Sequence, residues 1–330
     1  MKCNDISCRA EFDPEQSEGS MRRTPMNNEF KIALSLGGGG VRSLAHIGVL
    51  RVIEKEGIPI DYLCGTSMGA VLGAHYALYK NVDELEKVAL KIVNEKQIRD
   101  LEMLARKSEP EEKKALIEKL SLFVKDLFLW NLSAIKKSAL ETEKIEPYIK
   151  QVVGEHRFED TKIPFACWLT DLSTGEEFIV DKGPMAHILA GSCAIPGIFT
   201  PVEFQNRLFI DGGIVSPVSA NVGRKMGADF VIICDVDSGN PSSNFENGMN
   251  IMFQADYIRS QELTKLKNQT ADFVIHPAVK SISWASFSMA KECIKKGEEK
   301  AQALVDDLKS QIRSKRRRHA LGQFFPFLKK

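Results

Sequence analysis

Short apolar runs ending at glycine alternate along this chain with stretches in which apolar residues recur every three or four positions. "KIALSL", from Lys31, is such a run, and "VRSLAHIGVLRVIEKEG" after it places Val41, Leu44, Ile47 and Leu50 at helical spacing before closing at Gly57. "IPIDYLCG" reads as a second strand and "SMGAVLGAHYALYK" as a second helix rich in small residues. Strand, helix, strand, helix predicts an α/β domain whose parallel strands are covered by helices. Further buried strands are expected at "IPFACWLTDL", "EEFIVD", "RLFIDGG", "ADFVIICDV" and "ADFVIHP", and further helices over about 253–267 and 287–312. No internal repeat emerges. Between about 82 and 151 the sequence is charged and helical without strands, an insertion in the α/β pattern. Within it Leu116, Leu120, Phe123, Val124, Leu127 and Phe128 share one face, which either packs on the sheet, meets lipid or serves a homodimer contact.

Two ends fall outside this pattern. Residues 1–29 are polar and aperiodic and read as a flexible arm, leaving 30–313 as the folded domain. Residues 314–330, "SKRRRHALGQFFPFLKK", read as a basic, aromatic tail that is either solvated or held at an anionic membrane surface. Composition adds exclusions: 45 lysines and arginines against 44 acids leave no overall field to attract nucleic acid. The seven cysteines form neither a CxxC pair nor a metal-ligand cluster, so no metal is expected. Cys64, Cys167, Cys193 and Cys234 lie in apolar runs and read as reduced thiols of a cytoplasmic protein. The N-terminal residues lack an apolar signal core, and no apolar run approaches the roughly 18 residues that a membrane span needs.

Chemistry concentrates at two strand-to-helix turns. "GTSMG" contains Gly65, Ser67 and Gly69 as G-x-S-x-G between a predicted strand and a predicted helix, the context in which this pattern makes a nucleophile elbow. Upstream, "SLGGGGVRS" brings backbone close to something. A dinucleotide fingerprint requires a third glycine and an acid at the end of the second strand; here Val41, Arg42 and Ser43 follow Gly40, and Cys64 and Gly65 end that strand. A P-loop requires Gly-Lys-Ser/Thr, which is absent. Neither nucleotide cofactor is therefore expected. The remaining use is an oxyanion hole built from the amides of Gly38, Gly39 and Gly40 at a helix N-terminus beside Ser67.

Ser67 needs a base. One arrangement is the Ser–Asp–His order of α/β-hydrolases, with Asp235 or Asp237 and His276 of "FVIHP". The other is Asp211 of "RLFIDGGIVSPV", at the end of an apolar strand followed by two glycines that let its carboxylate approach another segment. Read alone, Asp-Gly-Gly is equally a turn signal.

"GGGGVRS", "GTSMGA" and "DGGIVSPV" in that order, together with "GSCAIPGIFTPVE" and "GADFVIICDV", resemble the patatin-like phospholipase family, which includes bacterial acyl hydrolases and relatives of neuropathy target esterase. The resemblance covers roughly residues 31–236. It implies a three-layer α/β/α fold with a mainly parallel sheet and a metal-free serine/aspartate dyad acting on lipid acyl esters. On that basis Ser67 is the nucleophile, Asp211 the base, and Gly38, Gly39 and Gly40 with Arg42 the oxyanion element. The family usually has glycine where this chain has Ser43, a departure that bears on the loop geometry. "AGSCAIPGIF" would wall an acyl channel. The implied partner is a lipid or acyl-ester substrate, any peripheral membrane contact being read from the tail and the apolar helix face rather than from the resemblance; the rival expectation is a non-catalytic lipid-binding module that keeps the fold.

Overall fold

A computed structural model of the protein describes residues 29–95, 141–236 and 248–324. Residues 1–28 of the expected arm, Asp237 and the apolar face of residues 112–130 lie outside the described residues. Eight strands form one sheet: β1 (Ile32–Leu36), β2 (Tyr62–Gly65), β3 (Phe165–Asp171), β4 (Glu177–Val180), β5 (Val202–Phe204), β6 (Arg207–Asp211), β7 (Phe230–Cys234) and β8 (Phe273–Ile275). The order is β5-β6-β3-β2-β1-β7-β8, with β4 paired to β3. β3-β2-β1-β7-β8 are mutually parallel, whereas β4, β5 and β6 join antiparallel. The parallel strands β1, β2, β3 and β7 are buried along their whole length, which is why they read as unbroken apolar runs.

Helices cover both faces. Helices α1 (Ala45–Lys55), α2 (Ser67–Tyr79), α3 (Val82–Val93), α4 (Glu146–Val153), α5 (Met185–Ser192) and α8 (Ala290–Phe324) share one large core with Leu34, Leu36, Leu63, Phe165, Leu169 and Phe209. The alternate strand residues Ala33, Tyr62, Val231 and Ile233 face the other way, toward α6 (Ala220–Lys225) and Val218. Helix α7 (Gly248–Asn268) lies beside α6. The result is a three-layer α/β/α fold.

β3 decides where the site forms, because a strand has only two edges. Cys167 pairs with Gly65 of β2 and Val180 of β4; Leu169 pairs with Phe178 of β4 and Asp211 of β6. β4 therefore occupies one edge, and β2 and β6 follow one another along the other. Gly65 leaves that edge two β3 residues from the point where Asp211 ends β6, a separation of about 7 Å at ordinary strand rise. The turn after β2 and the turn after β6 thus open side by side.

Three features differ from expectation. β5 carries no apolar run of its own, and forms because the two-residue turn at Gln205 and Asn206, both at positive φ (53° and 57°), folds Val202–Phe204 back on β6. The apolar stretch after the glycine loop starts as a 3-10 turn, Gly40–Leu44, before α1. The boundary expected at 314 falls inside α8. Three of the basic residues there contact the protein: Lys315 pairs with Asp272, His319 lies 3.3 Å from Asp229, and Arg316 covers the Phe30 ring at 5.4 Å. Carboxylates and rings at the strand starts thus hold up to Phe324 in a helix that the sequence presents as a solvated end. No helix among the described residues is long and apolar enough to cross a membrane.

Candidate active site

Ser67 opens α2 at φ 53°, in the left-handed region that costs a residue with a Cβ about 1–2 kcal/mol. Extended Thr66 before it (φ −134°, ψ 155°) makes the turn abrupt. Gly69 is what lets the elbow close. A Cβ there would stand 2.4 Å from the Gly37 carbonyl oxygen and 2.6 Å from that of Leu36. Gly65 is similarly crowded by the backbone of Gly69 and Ala70.

A residue that the sequence does not single out holds the elbow. Buried Ser192, ending α5, accepts the Ser67 amide at 3.0 Å and donates its own proton to the Trp168 carbonyl at 2.9 Å, with the Thr66 hydroxyl 3.3 Å away. The only signal in the sequence is its place in "AGSCA", where a packing serine looks the same. Ser192→Ala would take away the acceptor of the buried Ser67 amide, while the Trp168 carbonyl would keep the Thr66 hydroxyl at 3.3 Å. We predict a loss of about 1–3 kcal/mol of stability, measured by urea denaturation; an unchanged midpoint would show that other groups support the elbow.

Asp211 is buried beside this turn. Its carboxylate Oδ1 accepts the Gly213 amide at 2.7 Å, its own amide donates to Ala194 at 3.0 Å, and its carbonyl accepts the Thr170 hydroxyl at 3.0 Å. Burial pushes its pKa up from 3.8 to about 6, while its hydrogen-bonding neighbours, the Ser67 hydroxyl and the Gly213 amide, pull the other way. The Cys193 thiol also neighbours Ser67, and burial together with the Asp211 charge raises its pKa.

The glycine loop flanks Ser67: a Cβ on Gly38 would lie 3.0 Å from the Ser67 Cβ. Its amides divide, however. Gly38 donates to the Pro217 carbonyl at 3.1 Å, so this amide, expected to face an oxyanion, is spent on holding the loop. Gly39 and Gly40, at the N-terminus of the 3-10 turn, have no intrahelical acceptor, and among the described residues neither donates to a backbone carbonyl elsewhere. Gly40 sits at φ 58° with the Trp284 carbonyl where a Cβ would point, at 2.4 Å. Arg42 is buried and its Nε donates to the Gly39 carbonyl at 3.3 Å, so it orients the loop from behind. His46, fully buried and kept neutral by desolvation with a pKa of about 4, lies 2.8 Å from the Gly37 carbonyl through Nε2. Ser43 adds its hydroxyl to the same carbonyl at 3.4 Å, which shows how the loop accommodates a side chain at that position.

The rival constellation is separated. Asp235 and His276 do pair, at 3.5 Å, but at the ends of β7 and β8. β8 stands three strands from β2 in the sheet order, about 14 Å at normal strand spacing, so the structure does not bring His276 to Ser67. Asp235 is instead fixed by His276 and by the Asn268 amide at 3.0 Å.

The sequence model of the family described as Patatin-like phospholipase matches residues 34–222. Over 219 residues the chain is 32% identical to the patatin-like phospholipase domain-containing protein ZK370.4 of Caenorhabditis elegans, covering 66% of this chain and 14% of that protein. It is 31% identical over 202 residues to an NTE family protein of Mycobacterium tuberculosis, covering 61% and 48%. With Lysophospholipase NTE1 of Candida albicans the identity is 24% over 311 residues, covering 86% and 20%. The chain thus spans less than half the length of each of these relatives. Among solved structures, human GIVD cytosolic phospholipase A2 aligns with a TM-score of 0.46 at 10% identity, covering 88% of this chain and 63% of that one. VipD from Legionella pneumophila aligns at 0.44 and 13%, covering 85% and 67%.

Proposed function

This chain belongs to the patatin-like phospholipase family, and from that premise we propose that it is a lipid acyl hydrolase working through Ser67 and Asp211. The observation that carries the proposal is the shared edge of β3, which sets a strained serine beside a buried carboxylate whose pKa is raised. In the first step Asp211 accepts the Ser67 proton as Oγ attacks the ester carbonyl. The oxyanion forms against the amides of Gly39 and Gly40, a donor of this kind being worth about 2.7–4 kcal/mol of barrier. The alcohol departs with the proton from Asp211, leaving an acyl-serine. Asp211 then takes a proton from water, which attacks the acyl carbon, and returns it to Ser67 as the fatty acid leaves.

The pKa matters to this scheme. A carboxylate at 3.8 is a feeble base toward a hydroxyl; one near 6 holds a proton far better while still being ionised at neutral pH. Arg42 acts in this reading as a positioning residue, turning the Gly39 carbonyl away from the oxyanion, and the wall formed by Ala190–Phe199 borders the acyl chain. The substrate class we assign is a single-chain or diacyl phospholipid, in keeping with the names of its relatives.

The test is release of fatty acid from lysophosphatidylcholine and phosphatidylcholine vesicles by the full chain. The expected result is release with kcat/KM rising with pH through a midpoint near 6, as Asp211 loses its proton. No release from either lipid or from p-nitrophenyl butyrate, by a folded protein, would favour the non-catalytic lipid-binding module.

A further inference from the structure

The last turns of α8 divide their cations into two sets. Toward the sheet, Lys315 and His319 meet Asp272 and Asp229, and Arg316 lies over Phe30. Arg313, Arg317 and Arg318 are exposed on the outer side, and among the described residues none of the three pairs with a carboxylate or covers a ring. Arg313, Arg317 and Leu321 follow one another at four-residue intervals and so share one helix face, with Arg318 on its flank; Leu321 is 55% exposed. The helix dipole does not account for these arginines, because it reaches only the final turn, and the turn ending at Phe324 holds no basic residue. The acids nearest to them along α8, Asp306 and Asp307, lie about 10 Å before Arg313, and Asp307 already accepts the Gln311 amide. With 45 lysines and arginines against 44 acids in the chain, the positive field is local to this end of one helix.

We propose that this outer face, Arg313, Arg317, Arg318 and Leu321, docks on an anionic lipid bilayer. Cations for the headgroups beside an exposed leucine for the acyl boundary are the chemistry of such a surface, and phenylalanines 324, 325 and 327 follow in sequence. A purely ionic partner, an acidic protein or a nucleic acid, would leave Leu321 in water. The docking face is remote from the candidate active site. The segment leading into α8 holds the glycine loop, its Trp284 carbonyl accepting the Val41 amide, whereas Arg317 comes 27 residues after Ala290, about 40 Å along the helix. Docking thus fixes where the protein sits without covering Ser67, and it does not rest on the hydrolase reading.

The test is co-sedimentation of the full chain with phosphatidylcholine vesicles containing about 30 mol% phosphatidylglycerol, against vesicles of phosphatidylcholine alone. Binding is expected to the anionic vesicles only, to weaken as salt rises, and to be unchanged in Ser67→Ala. A basic residue at such a surface is worth about fivefold in affinity, so Arg313→Gln/Arg317→Gln/Arg318→Gln should bind about 10²-fold more weakly. Arg313→Lys/Arg317→Lys/Arg318→Lys should bind like the parent, and Leu321→Gln at least about threefold more weakly. At exposed positions these changes should leave the urea midpoint unmoved, which separates lost binding from lost fold. Equal binding to the neutral vesicles, or parent-like binding of the glutamine triple variant or of Leu321→Gln, would overturn the proposal. So would tighter binding to a single-stranded RNA homopolymer than to the anionic vesicles, which would give this face to nucleic acid. Docking by a protein that hydrolyses nothing would sink the hydrolase reading alone.

Discussion

Replacing Ser67 by alanine is expected to remove ester hydrolysis, a loss on the order of 10³-fold or more, as befits the only group that forms the covalent intermediate. Stability should barely change, because the amide that Ser192 holds is kept and the replaced side chain is small. Ser67→Gly separates strain from chemistry. It relieves a φ of 53° and should therefore raise stability by about 1 kcal/mol while being just as inactive. Hydrolysis of p-nitrophenyl butyrate alongside urea denaturation checks both. Activity within tenfold of the parent in either variant would mean that another group attacks the ester.

Asp211→Asn carries the second large effect, and it acts in two directions. Asparagine can still accept the Gly213 amide, but it offers no base to the Ser67 hydroxyl, so activity should fall by about 10²–10⁴-fold. Stability should rise. The folded-state pKa lies above the ordinary 3.8, at about 6, so the folded protein binds this proton more tightly than the unfolded chain. Any stability linked to it is fully present below pH 3.8, falls as pH climbs through 6, and is absent above. The rise from 3.8 to about 6 corresponds to roughly 3 kcal/mol, taken as an upper figure for a buried group. The asparagine variant should thus match the parent near pH 4 and exceed it at pH 8. Paired denaturation curves at the two pH values test this; an equal or lower stability at pH 8 would show that the carboxylate is better solvated than its burial indicates.

Much of the fold is legible because β1, β2, β3 and β7 are buried on both faces and therefore read as apolar runs. The elbow is legible from its spacing: Gly65 meets the backbone of Gly69 and Ala70, and Gly69 meets that of Leu36 and Gly37, so only glycine fits at either side of Ser67. What could not be read depends on partners distant in sequence. Nothing near Gly38 announces that its amide is taken by Pro217, and nothing in "AGSCA" distinguishes Ser192 from a packing serine. The run of basic residues from Lys315 looks solvated until Asp272, Asp229 and Phe30 are brought beneath it. His276 misleads in the opposite sense. The order Ser, Asp, His along the chain is right for a triad, yet the sheet order puts two strands between β2 and β8.

The dependence of Ser67 on Asp211 can be measured most directly as the rate at which a fluorophosphonate labels the serine, followed against pH in the parent, Asp211→Asn and His276→Ala. The account predicts labelling that rises through an apparent pKa near 6 in the parent and in His276→Ala, and that is slow and flat in Asp211→Asn. Parent-like labelling of Asp211→Asn, or its loss in His276→Ala, would contradict it.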